Sequence, residues 1–210
     1  MNKLIVIGAS TPTIIRVISD INIAKKEKFK ILGFVDNDPQ KIGTNFYGFK
    51  VLGDFEEIKK FNKNDIYLIN TIASKTCIRK DVTTYFINLG YKFANIIHPN
   101  VNLKYVSMGI GNLVYENALI HPFVRIGDHC VLSSNSGIAH ETSIGNYVFV
   151  GPSSYICGKV KISDEVYVGV GAKILPNLSI GSRAQIGAAS LVTKDINVDE
   201  KIIGIPGKAF

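Results

Sequence analysis

From Val114 to Val192 an aliphatic residue stands at every sixth position: Val114, Ile120, Ile126, Leu132, Ile138, Ile144, Val150, Ile156, Ile162, Val168, Ile174, Ile180, Ile186 and Val192. Fourteen returns in succession match neither the period of an α-helix nor the alternation of an ordinary strand. The spacing predicts a parallel β-helix of hexapeptides, each supplying a short strand and a corner. Four places after each aliphatic residue comes a second, small or apolar one: Ala118, Val124, Cys130, Ser136, Thr142, Val148, Ser154, Val160, Val166, Ala172, Leu178, Ala184 and Ser190. Both sets are expected to face into a narrow prism, the large residue filling it and the small one fitting near the corner. Glycine often follows the aliphatic residue (Gly127, Gly145, Gly151, Gly169, Gly181, Gly187), and is expected there to ease a tight corner.

The first hundred residues carry a different pattern, so the chain divides into 1–100 and 101–210. Leu4-Ile5-Val6-Ile7-Gly8 reads as a buried strand, and Ile14, Ile15, Val17, Ile18, Ile21 and Ile23 as a helix ending in the Lys25-Lys26 pair. Ile31 to Val35 predicts a second strand, closed by the turn Asp36-Asn37-Asp38-Pro39. Phe46 to Leu52 reads as a short excursion and Glu56 to Phe61 as a short helix. Ile66 to Ile69 is a third strand, Thr76 to Leu89 a helix, and Phe93 to Ile97 a return to strand. Strands alternating with helices imply a small α/β unit with a parallel sheet of the Rossmann kind.

Length and composition suit a soluble protein with a sizeable core. Cys77, Cys130 and Cys157 have neither metal-ligand nor framework spacing, which favours buried thiols in a reducing, cytoplasmic setting. Cys130 falls on an inward position and reads as core filler. The start, MNKLIVIGAS, suits a first strand better than a signal peptide, and no run approaches a membrane span. The net charge of +7 is uneven, with 15 basic and 9 acidic residues through Asn100 against 9 and 8 after it. The lysines are scattered rather than interleaved with aromatics, which reads as a solvated surface and not as a nucleic-acid site.

In an open α/β sheet the ligand sits beyond the carboxyl ends of the strands. That brings Gly8-Ala9-Ser10-Thr11 and Asp36-Asn37 to one mouth, where a phosphate fits the helix N-terminus and Asp36 a ribose hydroxyl or base edge. The loop lacks the three-glycine dinucleotide fingerprint, and Asp36 reads equally well as an ordinary turn residue.

Of the four histidines, His98 and His121 each precede a proline and read as boundary or corner residues, while His129 lies in a polar corner and is expected to be solvated. His140 stands two places after Ile138 and is expected to project outward, with Glu141 directly after it. It reads either as a plain surface histidine or as a general base, since imidazole accepts a proton near neutrality. A neighbouring carboxylate would hold the productive tautomer.

The whole chain resembles the bacterial nucleotide-amino-sugar N-acetyltransferases and their sialic acid O-acetyltransferase relatives. The matching segments are Ile7-Gly8-Ala9-Ser10, Gly33-Phe34-Val35-Asp36, Ile97-His98-Pro99, Ala139-His140-Glu141, Gly158 to Ile162, Leu175 to Gly181 and Gly204 to Lys208. The resemblance implies a Rossmann-like N-terminal domain, a left-handed parallel β-helix, a homotrimer, and acetyl-CoA as cosubstrate without a metal. It implies His140 as catalytic base, Glu141 as the acid that orients it, and Gly158 as a backbone donor to the acetyl carbonyl. It further implies coenzyme A contacts at Gly158, Ala188, Lys194, Pro206 and Lys208, and nucleotide contacts at Gly8, Ala9, Ser10, Thr11, Asp36 and Asn37. Three positions depart from the family pattern. Thr11-Pro12-Thr13 replaces a Gly-His pair, Asp36-Asn37 replaces Asp-Asp, and Phe149 stands where some members carry a second histidine. The leading expectation is N-acetylation of a nucleotide-linked amino sugar in bacterial glycan biosynthesis. O-acetylation of a sugar of the sialic acid type is the alternative, and a non-catalytic repeat protein a further one. A zinc enzyme on the same repeat would need three converging histidines, and the spacing of His121, His129 and His140 does not suit it.

Overall fold

The computed structural model describes residues 1–24, 28–73 and 75–209. It opens with β1 (Asn2–Ile7), α1 (Thr13–Ala24), β2 (Phe29–Val35), β3 (Asn45–Phe46), β4 (Phe49–Gly53), a 3-10 turn at Phe55–Lys60, β5 (Ile66–Asn70), α2 (Thr76–Asn88) and β6 (Lys92–Phe93). These strands form one sheet in the order β3-β4-β2-β1-β5-β6, parallel except for the β3–β4 hairpin. The central strand β1 is apolar from Leu4 onward because both faces are covered there, with Leu4, Ile5, Val6 and Ile7 all fully buried. Phe46 to Leu52, expected as an excursion, is a hairpin whose second strand extends the sheet beside β2. The Lys25-Lys26 pair expected at the end of α1 lies outside the described residues.

Phe93 to Ile97 is two strands rather than one. β6 closes the first sheet, and β7 (Ile96–Ile97) pairs instead with Leu113–Val114 in the coil that follows. From there the chain winds as a parallel β-helix, with strands eighteen residues apart stacked in register, as in Val131↔Phe149, Gly137↔Tyr155 and Ser143↔Lys161. All fourteen aliphatic positions are buried, and of the thirteen smaller ones only Leu178 is partly exposed. Cys130 is wholly enclosed, as an inward position requires.

The corners are built differently from the expectation. The residue three places after the aliphatic one adopts a left-handed backbone, including Asn117, Phe123, His129, Asn135, Glu141, Tyr147 and Lys159, while glycine fills that place once, at Gly171. A non-glycine residue there is strained by about 1 kcal/mol or more. The ladder offsets it by turning the corner N–H onto the coil before, as in Tyr147 N–H to Asp128 O at 2.8 Å and Lys159 N–H to His140 O at 3.0 Å. The glycines directly after the aliphatic residues serve another purpose. A Cβ on Gly151 would lie 2.8 Å from the backbone of Gly169, and one on Gly169 would lie 2.7 Å from Ala188 N. Close stacking between coils, not a special dihedral, excludes a side chain there.

The three faces of the prism differ. One carries Leu113, Val131, Phe149 and Tyr167 outward, and all four pack into a core shared with Leu4, Ile14, Val17 and Phe34 of the first sheet and α1. This docking face is tied down at its edges by Arg16 to Glu116, Lys80 to Glu165 and Asp20 to His98. The second face shows Ser107, Arg125, Ser143, Lys161 and Ser179. The third presents Leu119, Gly137, Tyr155, Lys173 and Leu191 along its strands, a largely apolar surface broken by the exposed Lys173, with Leu119, Tyr155 and the following Leu175 also exposed.

Candidate active site

His140 leaves the strand Gly137–Ile138 of the apolar face and turns the corner toward Ser143–Ile144 of the polar face. Its edge therefore lies opposite the docking face. The His140 Nδ1 is 3.0 Å from Glu141 Oε1, with both side chains half-exposed. A carboxylate only accepts, so the ring donates from Nδ1 and keeps the Nε2 lone pair free. Glu141 reaches its neighbour because it occupies the left-handed corner position, at φ 60°.

Gly158 sits directly below, one coil further on. A Cβ there would fall 2.8 Å from His140 Nε2, so any larger residue would push the ring aside. The Gly158 carbonyl accepts from Asn177 N–H, while its own N–H has no acceptor among the described residues. The free Nε2 of an exposed ring and the backbone N–H of the buried Gly158 beneath it thus meet at one corner. That pairing suits a reaction in which a proton leaves the nucleophile as negative charge builds on a carbonyl oxygen.

Lys194 repeats the position of His140 three coils further along the same edge, about 14 Å at the usual strand spacing. Ala188 lies on the next edge across the apolar face, and Pro206 and Lys208 lie in the terminal hairpin of Lys201–Ile203 with Lys208–Ala209. All four are exposed. Phe149, at the position of the family's second histidine, is far from this corner in the fold. It is buried in the docking face and stacked on Tyr167 with ring centroids 5.0 Å apart.

Gly8 and Asp36 meet at the carboxyl end of the sheet. Gly8 has φ +96°, and a Cβ there would touch Thr71 Oγ1 at 3.0 Å. Asp36 Oδ2 accepts from Ala9 N–H at 2.8 Å and from Lys41 Nζ at 2.9 Å, and its Oδ1 accepts from Asp38 N–H at 3.0 Å. Burial pushes this carboxyl up, but the Lys41 contact and the two backbone donors outweigh it and hold it below its ordinary value. Asp36 is therefore more than a turn residue, since it fastens the first loop to the end of β2. Ser10 and Thr11 lie at the open side of that loop, their side chains without hydrogen bonds among the described residues. Asn37 faces away, accepting Phe55 N–H at 3.0 Å.

His129, expected to be solvated, is 3% exposed. Its ring stacks on Tyr147 and meets the edge of Phe93, because the α/β unit closes over that corner. Burial pushes its pKa down to about 4. Beside it Arg79, also buried, donates to the carbonyls of Ile72, Ala73 and Tyr147, joining α2 and the loop after β5 to the coil stack. The sequence carried no sign of this arginine, which sits on α2 among ordinary solvated residues. The described residues contain no group of three or more His, Cys, Asp or Glu placed to hold a metal, and no helix long and apolar enough to cross a membrane.

No protein-family model matches the chain, and no curated protein matches it. Solved structures do. The acetyltransferase domain of PglB from Neisseria gonorrhoeae FA1090 is 22% identical at a TM-score of 0.87, with all of both chains covered. PerB from Caulobacter crescentus, solved in complex with CoA and GDP-perosamine, is 24% identical at 0.86, covering 100% of this chain and 98% of its own. WeeI from Acinetobacter baumannii AYE is 23% identical at 0.86 over the whole of both chains. These likenesses run through both the sheet and the coil stack, and at such identities what they establish is the fold.

Proposed function

We propose that this chain is an acetyl-CoA-dependent N-acetyltransferase acting on the amino group of a nucleotide-linked amino sugar, in the cytoplasm, as part of bacterial glycan biosynthesis. The observation that carries the reading is the free Nε2 of His140, oriented by Glu141 and set against Gly158. The sugar amine attacks the thioester carbonyl of acetyl-CoA while His140 Nε2 takes its proton. The Gly158 N–H steadies the oxyanion, and the imidazolium returns the proton to the leaving thiolate. Neighbours of the same fold were solved with acetyl coenzyme A and with CoA and GDP-perosamine, which supports this class of substrates.

In this reading residues 1–100 are a Rossmann-like nucleotide-sugar domain and 101–210 a left-handed β-helix. Gly8, Ala9, Ser10, Thr11, Asp36 and Asn37 hold the nucleotide, with Ala188, Lys194, Pro206 and Lys208 along the coenzyme. The nucleotide mouth belongs to the unit on the docking face, whereas His140 occupies the opposite edge. A sugar anchored at the mouth therefore meets His140 of another copy, and the uncovered apolar face with Leu119, Tyr155 and Leu175 suits the contact. The assembly is a homotrimer. The test is a panel of nucleotide-linked amino sugars with acetyl-CoA, following thiol release and product mass. An added acetyl group stable to mild base marks the amide, a base-labile one marks an ester and the O-acetyltransferase alternative, and a monomer by light scattering under assay conditions refutes the shared site.

A further inference from the structure

Two pairs of aromatic side chains stack on left-handed corners in consecutive coils. His129 and Tyr147 form one, with ring centroids 5.3 Å apart and planes 14° apart. Phe93 of the α/β unit covers it, meeting His129 edge-on at 5.0 Å. Tyr105 and Phe123 form the other, with centroids 6.0 Å and planes 26° apart. No ring of the described residues covers this second pair, and each of its side chains is 64% exposed. A bulky residue in the left-handed region is strained, and burial offsets that strain at His129. The chain itself supplies no such compensation at Phe123.

The place of the open pair points to its occupant. Tyr105 and Phe123 stand on the edge that carries Glu141, two coils and one coil before it. Phe123 N–H donates to Tyr105 O at 2.8 Å and Glu141 N–H to Pro122 O at 3.4 Å, so one backbone ladder fixes the rings and the His140–Glu141 pair together. At the usual strand spacing Phe123 lies about 5 Å from the coil of His140. The rings stack along the ladder, and the Lys104 ammonium lies over Tyr105 at 5.2 Å from its centroid. The open face of Phe123 therefore turns toward the coil of His140. Gly158 and Lys194, assigned to the acyl group and its coenzyme, lie on later coils, beyond His140. An acceptor that reaches His140 from the other side passes over Phe123. We propose that Phe123, backed by Tyr105, is the platform on which the acceptor's sugar ring stacks while its amine is presented to His140 Nε2. The inference rests on the amino-sugar reading above. One face of a pyranose is lined by C–H bonds, and the negative face of an aromatic ring attracts their positive ends. Stacking fixes the plane of the sugar beside the base, which is the orientation that proximity requires. Both are positioning residues and take no proton.

Steady-state kinetics of the full chain test this, with acetyl-CoA and the nucleotide-linked amino sugar that the wild type turns over best. Phe123→Leu keeps an apolar side chain but loses the aromatic face. It is expected to raise the acceptor KM about tenfold, with the acetyl-CoA KM and the assembly state by light scattering unchanged. Phe123→Tyr should restore the wild-type acceptor KM. The chain has no tryptophan, so Phe123→Trp adds a single reporter. Its emission should shift on adding the amino sugar and not on adding the same nucleoside diphosphate without the sugar. An acceptor KM unchanged in Phe123→Leu, or an emission blind to the sugar, overturns the platform and leaves the amino-sugar reading standing. A raised acetyl-CoA KM instead would give the rings to the coenzyme, and a dissociated assembly would give them to a second copy; either overturns the proposal. If the wild type acetylates no nucleotide-linked amino sugar, the reading beneath it falls as well.

Discussion

In the coil stack a residue's place follows from counting, because every eighteenth position returns to the same edge and the strands stack in register. His140, Gly158 and Lys194 share an edge for that reason alone. The α/β unit offers no such rule. Gly8 and Asp36 meet only because β1 and β2 are neighbours in the sheet. The contrast teaches where a site is robust. A repeat presents its chemistry on a rigid ladder in which each coil templates the next. The α/β unit assembles its site from loops whose positions depend on side-chain ties such as Asp36 to Ala9.

Removing the imidazole proposed as the base tests the repeat most severely. His140→Ala is expected to lower kcat by on the order of 10²–10⁴-fold, the usual worth of a positioned acid–base group. The fold should be untouched, since the side chain lies outside the prism. Near-wild-type turnover at saturating substrates would dismiss the counting argument as a guide to chemistry.

The junction between the two regions should respond to acid. His129 is buried with a pKa of about 4, against about 6.5 in an unfolded chain. Between those values the unfolded state binds more protons, so stability is complete above pH 6.5 and declines as pH falls toward 4. The loss should approach roughly 3 kcal/mol at the lower end. His129→Asn tolerates the left-handed corner and has no such proton to bind, so its melting temperature should fall less steeply over that window. Parallel curves for the two proteins would remove His129 from the account.

Gly158→Ala sharpens the claim about close stacking. The added methyl meets the imidazole at Nε2, and turnover should fall on the order of 10²-fold through a displaced base and a hindered oxyanion donor. The circular dichroism of the coil should not change. A fully active alanine variant would show that the ring does not work in the position seen.

The smallest effect belongs to the loop tie. Asp36→Ala should raise the KM for the acceptor about tenfold, equivalent to one charge-assisted hydrogen bond, while the KM for acetyl-CoA stays level. Equal changes in both constants would point to general loosening instead.

The sequence by itself determined the coil: its period, its inward residues, the burial of Cys130 and the outward setting of His140 beside Glu141. Local spacing suffices there because the backbone repeats and neighbouring coils impose one register. The alternation of strands and helices in the first hundred residues was also legible, as was the mouth at Gly8 and Asp36. Only the tertiary structure decided which prism face the α/β unit covers. That choice buried His129 under Phe93 and Tyr147, left Arg79 to satisfy three carbonyls, and split Phe93 to Ile97 between two sheets. It also set the mouth at Gly8 and Asp36 and the His140 corner on opposite sides of the prism. None of this has a local signature, because it arises from matching two apolar surfaces made by residues far apart in the chain.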